Sequence, residues 1–315
     1  MAYQHQDDID ITGKVNLALL DRSLEVAVNR TCNAVLDSKT LDADLQAFIV
    51  SILKQFFSTH KSIRLLLKQK DTDIGMCGDA ISLCREQVEK VFVLTLVIDD
   101  PAKWLSRWFK YDWRKRYEEF LLEKHECQKL SRFDSFLDNE GPEGLEQWKK
   151  QMGVSDAEKT TIEESFEFTL NNPDINLPAH LGNSLIPQVP TPGKAKQKIN
   201  DVSVKAALER WYWEYKFLCD NTHIGPQRLI YTQIGSRQVS LSESHVNAMA
   251  ERDFGKAVIT SYVATLYSCS EAYRLISPNV EVIGELTKLW NELAKGTLLG
   301  KLFWEIRVKD IFPLV

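Results

Sequence analysis

Apolar side chains recur at helical spacing through nearly all of this chain, which excludes most folds. Leu45, Phe48, Ile49, Ile52, Leu53 and Phe56 fall at i, i+3, i+4, i+7, i+8 and i+11 and define one face of a helix. No convincing pair of alternating strands occurs anywhere, so the pattern predicts an all-α protein. A first helix is expected from after Thr12 to about Leu36, and another from about Ile74 to Ile98. The latter ends at Asp99-Asp100-Pro101, where Asp100 suits an N-cap and Pro101 the first turn of the next helix. Helices joined so tightly should pack antiparallel as a bundle.

The helix opened by Pro101 should reach roughly Phe136, and past it the composition changes. Residues 140–200 are expected to be a loop-rich excursion, with short helices at Gly144–Met152 and at Ser155–Thr169, the latter capped by Ser155. A proline-bearing loop follows them. Residues 1–139 and 201–315 then supply the two halves of one bundle of about eight to ten helices, with long helices at about Asp201–Ile224 and Ser242–Ile276. Two shorter ones, Val280–Lys295 and Thr297–Ile311, complete the chain.

Core material is ample, since 44% of residues are hydrophobic and eight are Trp. A net charge of −5 gives no global attraction to nucleic acid or anionic membrane, so any such contact must be local. The six cysteines form no CxxC pair and lie near no histidine at zinc spacing, which argues against a disulfide framework and against a metal site. The polar start MAYQHQDDIDITGK lacks the order of a secretory signal, and the most apolar run, Val91–Ile98, is too short to span a bilayer. A cytoplasmic protein with no membrane partner is expected.

Two helices push ionisable groups toward apolar faces. Arg85 falls between Ile81, Phe92 and Leu96, with Ile74, Cys77 and Val88 completing the arc and Glu89 one turn on, whereas Glu86, Gln87 and Lys90 should face solvent. Tyr215, Cys219 and His223 follow one another at i, i+4 and i+8 beside Val204, Leu208 and Trp211, with Glu209 and Lys216 pointing outward. Because an unpaired buried charge costs several kcal/mol, the two faces are expected to meet around a polar pocket. A guanidinium fork suits phosphate or carboxylate, and an interior histidine near neutral pH suits proton transfer. Catalytic roles are therefore expected for Arg85, Glu89 and His223, and ligand contacts for Tyr215 and Cys219. The alternative is a structural polar network in a non-catalytic interaction or sensor protein.

The Arg85-x-x-x-Glu89 helix paired with the later Tyr215-x-x-Leu218-x-x-x-x-His223 helix resembles the bacterial helical family called domain of unknown function 5677, over about Ser51 to Ile276 without the excursion. In that family a small hydroxyl residue usually follows the Leu, where this chain has Cys219. A looser resemblance is to HEPN proteins, all-helical conflict and RNA-processing domains whose ribonucleases place His four to six residues after Arg. Here His60-x-x-x-Arg64 runs in the opposite order and Arg210 precedes His223 by 13 residues, so Arg85 and His223 would have to come together from separate helices. These resemblances imply a bacterial defence or toxin-like effector acting on RNA or another phosphate-bearing ligand, with no cofactor.

Lys103, Arg107, Lys110 and Arg114 form a basic stripe beside Trp104, Trp108 and Tyr111, a candidate nucleic-acid contact. In the opposing reading the tryptophans pack inward and the basic residues are a solvated face. Lys194, Lys196 and Lys198 join that surface only if the fold brings them there. Glu123-Lys-His125 and Glu243-Ser-His245 lack di-iron spacing, and no phosphate-binding glycine loop or nucleophile elbow occurs. A protein partner or a second copy of the chain remains open.

Overall fold

The stripe from Leu45 to Phe56 lies on a buried helix face that continues through His60, Ile63 and Leu67. A computed structural model describes residues 17–68, 76–130, 141–222 and 243–312, and no strand occurs among them. The protein is an all-α multi-helix bundle. Its helices are α1 (Leu17–Leu36), α2 (Ala43–Lys68), α3 (Met76–Asp99), α4 (Pro101–Leu130), α5 (Gly141–Gln151), α6 (Asp156–Asn171), α7 (Ala179–Ser184), α8 (Pro192–Ala195), α9 (Val202–Thr222), α10 (Glu243–Tyr273), α11 (Val280–Gly296) and α12 (Leu298–Phe303). A π turn, Trp304–Val308, leads from α12 into a last helical turn, α13 (Lys309–Ile311). None of the described helices is long and apolar enough to cross a membrane.

The chain forms two compact units, one from Met1–Asp99 with Thr191–Val315 and the other from Asp100–Pro190. This differs from the boundaries expected near residues 139 and 200. The reason lies in α4, whose Trp113 and Tyr117 share a core with Val154, Ile162 and Ile186. The Trp113 and Tyr117 rings stack at 4.8 Å, and Trp113 Nε1 donates to the Leu145 carbonyl at 2.9 Å, so α4 belongs with the excursion. Local chemistry starts α4 and α6 as expected. Asp100 Oδ1 accepts from the Lys103 amide at 3.2 Å, and Ser155 and Glu158 close a capping box on α6. Gly153, at φ 67°, provides the left-handed residue that ends α5.

In the larger unit α10 is the central helix, and every residue from Asp253 to Tyr273 is buried. It packs against α1, α2, α3 and α11. Its hydroxyls bond to their own helix: Thr265 to Ser261 O, Ser268 to Ala264 O and Ser270 to Leu266 O, all within 2.9 Å. α3 is likewise surrounded, by α2, α9 and α10. That corrects the expectation for Gln87, which is fully buried and donates to the Phe56 carbonyl at 2.8 Å. A helix enclosed on most sides has no broad solvent face for such a residue to occupy.

Candidate functional site

α3 and α9 pack directly on each other, which brings Arg85 and Glu89 to Tyr215 and Cys219. Ile81, Val88 and Phe92 on α3 and Val204, Leu208, Trp211 and Leu218 on α9 are all buried. Asp201 seats the start of α9 by accepting from the Val204 amide at 3.0 Å.

Arg85 Nε donates to Glu89 Oε1 at 3.1 Å, and its guanidinium lies 5.9 Å from the Tyr215 ring centre. The Arg85 and Glu89 side chains keep 32% and 39% of their surface exposed, so the cluster stands at the rim of the buried arc rather than inside it. This corrects the expectation of a deeply enclosed arginine, and solvent reaches the guanidinium. Burial works against the charge on Arg85, but Glu89 and Cys219 outweigh it and hold its pKa above the ordinary value. Burial, the hydrogen bond shared with Cys219 and the nearby Glu89 push Tyr215 up to about 12. At neutral pH Tyr215 is therefore a phenol, able to donate or to stack but not to act as a base. His223 follows Thr222, the end of α9, and lies outside the described residues.

The neighbouring Glu214 was not foreseen as buried. It forms ion pairs with Arg210 on its own helix and with Lys256 on α10, a trio that ties α9 to the central helix. Its signal in the sequence is its place three residues after Trp211 and four before Leu218, both fully buried.

A second polar cluster joins α1, α2 and α10. His60 Nε2 donates to Asp21 Oδ1 at 3.1 Å, its Nδ1 accepts from the Ser261 hydroxyl at 2.8 Å, Arg64 Nε donates to Asp21 Oδ2 at 3.2 Å, and the Tyr262 hydroxyl also donates to Asp21. The order Ser, His, Asp is that of a hydrolytic triad. Ser261 is wholly buried, however, and cannot meet a substrate, so the cluster is structural. Burial alone would raise the Asp21 pKa, but the bonds from His60 and Tyr262 and the charge of Arg64 bring it from 3.8 to about 2. Burial lowers the His60 pKa from 6.5 against the pull of Asp21. Both shifts favour the folded state at higher pH. The His60 part is lost as pH falls below 6.5, and the Asp21 part between 3.8 and about 2. Asp21→Asn should therefore lower the melting temperature at pH 7 and flatten its fall in the acid range, a difference of about 1 kcal/mol after solvent screening of a carboxylate one-third exposed. Melting curves of both chains across pH check this, and parallel curves would refute it.

On α4, in the smaller unit, the basic stripe is partly neutralised. Lys110 Nζ meets both Glu158 oxygens at 2.9 and 3.1 Å, and Arg114 donates to Glu118 and to the Ile186 carbonyl, each at 2.7 Å. Lys103 and Arg107 lie against the ring of Trp104, which is itself buried. Lys196 instead lies 4.9 Å from the Tyr212 ring on α9.

The cysteines are all free. Comparison with protein-family models, curated proteins and solved structures finds no significant match.

Proposed function

We propose that the Arg85 cluster binds a phosphate-bearing ligand, RNA foremost, and that with His223 it makes the chain a metal-independent ribonuclease-like effector. Arg85 is the anion clamp, Glu89 orients it, Tyr215 and Cys219 contact the ligand, and His223 moves the proton. The observation that carries this reading is the meeting of α3 and α9, which gathers Glu89, Tyr215 and Cys219 around one guanidinium that solvent can reach. A toxin-like or defence role in a bacterial cytoplasm is the setting that the family resemblance implies.

The chemistry balances without a cofactor. His223 takes the proton of a 2′-hydroxyl, the freed oxygen attacks the adjacent phosphorus, and the bond to the 5′ oxygen breaks. The leaving oxygen receives the proton back, giving a 2′,3′-cyclic phosphate and a 5′-hydroxyl. Arg85 would offset the charge that builds on the phosphorane.

One observation favours the rival reading, a non-catalytic interaction or sensor protein: Glu89 and Tyr215 already satisfy Arg85 with no ligand. Thermal melts separate the two. An exposed or partly exposed i,i+4 pair contributes about 0.3–0.5 kcal/mol, so Arg85→Ala should melt close to wild type. Short RNA at a hundredfold excess over the wild-type Kd should stabilise wild type by about 2.7 kcal/mol and raise its melting temperature, and should raise that of Arg85→Ala less. A large loss of stability in the variant, with no RNA effect on wild type, would favour the structural network.

A further inference from the structure

The surface of α9 beside the Arg85 cluster alternates rings and cations. Trp213 is 59% exposed, an unusual place for a large indole. Lys216 Nζ lies 5.7 Å from the Trp213 ring and 5.9 Å from that of Tyr212, and Lys196 Nζ, at the end of α8, reaches Tyr212 at 4.9 Å. The Tyr212 and Tyr215 rings are stacked at 6.5 Å, and Arg85 sits 5.9 Å from Tyr215. The turn carrying Lys196 is held close, since a Cβ on Gly193 would lie 3.3 Å from the Tyr212 ring. Neither Lys196 nor Lys216 has a carboxylate partner among the described residues, unlike Lys110 and Arg114 on α4.

We infer that this face is a track for single-stranded RNA, leading from Trp213 along Tyr212 to Tyr215 and Arg85. The inference rests on the proposed phosphate-directed role of the Arg85 cluster and names the form of its substrate. Lys196, Lys216 and Arg85 meet backbone phosphates, and the exposed indole stacks an unpaired base. In a duplex each base is stacked between its neighbours, which hides the faces on which an aromatic ring would stack, so a duplex gains only the phosphate contacts. The occupant is identified by charge complementarity and by continuity with the cluster. An acidic lipid surface would use the lysines but has no planar group to place on Trp213.

The test uses the full chain and a fluorescent 2′-O-methyl RNA of roughly ten nucleotides, which cannot be cut by attack of a 2′-hydroxyl. Wild type should bind it with strong salt dependence, and should bind the duplex of the same sequence more weakly. Trp213→Ala removes an exposed ring, so its melting temperature should hold while affinity falls about tenfold or more. Lys196→Glu with Lys216→Glu should also weaken binding tenfold or more and reduce the salt slope. Unaltered affinity in Trp213→Ala, equal affinity for duplex, or binding to phosphatidylserine vesicles in place of RNA would overturn the track. The two readings fail separately. RNA cleavage that depends on Arg85 while Trp213→Ala binds normally removes the track and keeps the site. Trp213-dependent binding with no cleavage of ordinary RNA keeps the track and removes the catalytic reading.

Discussion

Glu271→Ala should lower the free energy of unfolding by about 3–5 kcal/mol, the usual cost of stripping one partner from a buried ion pair. Glu271 on α10 is wholly buried and Arg307, in the π turn, nearly so. Arg307 Nε donates to Oε1 at 2.7 Å and its Nη2 to Oε2 at 3.2 Å, a bidentate pair, and Arg274 Nε reaches the same carboxylate at 3.2 Å. A third Arg307 nitrogen donates to Ser203 Oγ at 2.7 Å, on the first turn of α9. One carboxylate therefore anchors the end of the chain to the central helix and, through Arg307, seats the helix that carries Tyr215 and Cys219. Without it the guanidinium is left buried beside Asp201, 3.9 Å away, as its nearest other acid. Chemical denaturation would read the loss as a lower midpoint at unchanged slope. Replacing both partners, as in Glu271→Ala with Arg307→Met, should recover much of it, because neither charge is then buried alone. A loss below about 1 kcal/mol in Glu271→Ala would show that water relieves Arg307 there.

Much of the architecture is legible in the sequence because helices with one wet face advertise their period. The stripe of α2, the Ser155 cap and the Asp100-Pro101 junction all lie in the structure where the residues place them. The meeting of Arg85 with Tyr215 follows from two amphipathic faces that each carry a polar intruder. What could not be read comes from helices enclosed on most sides. On α3 and α10 the period carries little contrast, so Gln87 reads as outward by its wheel position yet lies buried against Phe56, and Ser261 and Glu271 give no sign of their partners. Long-range pairing is equally silent. Nothing near Lys110 in the chain announces Glu158, and nothing near Trp113 announces Ile162 and Ile186, which is why the basic stripe looked open and α4 looked like part of the larger bundle. His60 could have been found: it continues the stripe of Phe56, Ile63 and Leu67, and a histidine on such a face needs a partner.

The largest functional effect is expected at His223 and Arg85. A positioned histidine that moves the proton of the attacking hydroxyl contributes about 10²–10⁴ in rate, and a donor aimed at developing phosphorane charge about 10²–10³. Arg85 should not be needed for folding to a comparable degree, since it is one-third exposed and its pair with Glu89 is of the weak i,i+4 kind. Loss of rate without loss of melting temperature is thus the signature that separates a catalytic cluster from a structural one. The decisive measurement is the initial rate of cleavage of a labelled single-stranded RNA, in the presence of a metal chelator, by wild type, Arg85→Ala and His223→Ala. The account expects wild type to yield 2′,3′-cyclic phosphate ends and each variant to fall at least about a hundredfold while melting like wild type. RNA left intact by wild type, or cut equally by all three, would contradict it.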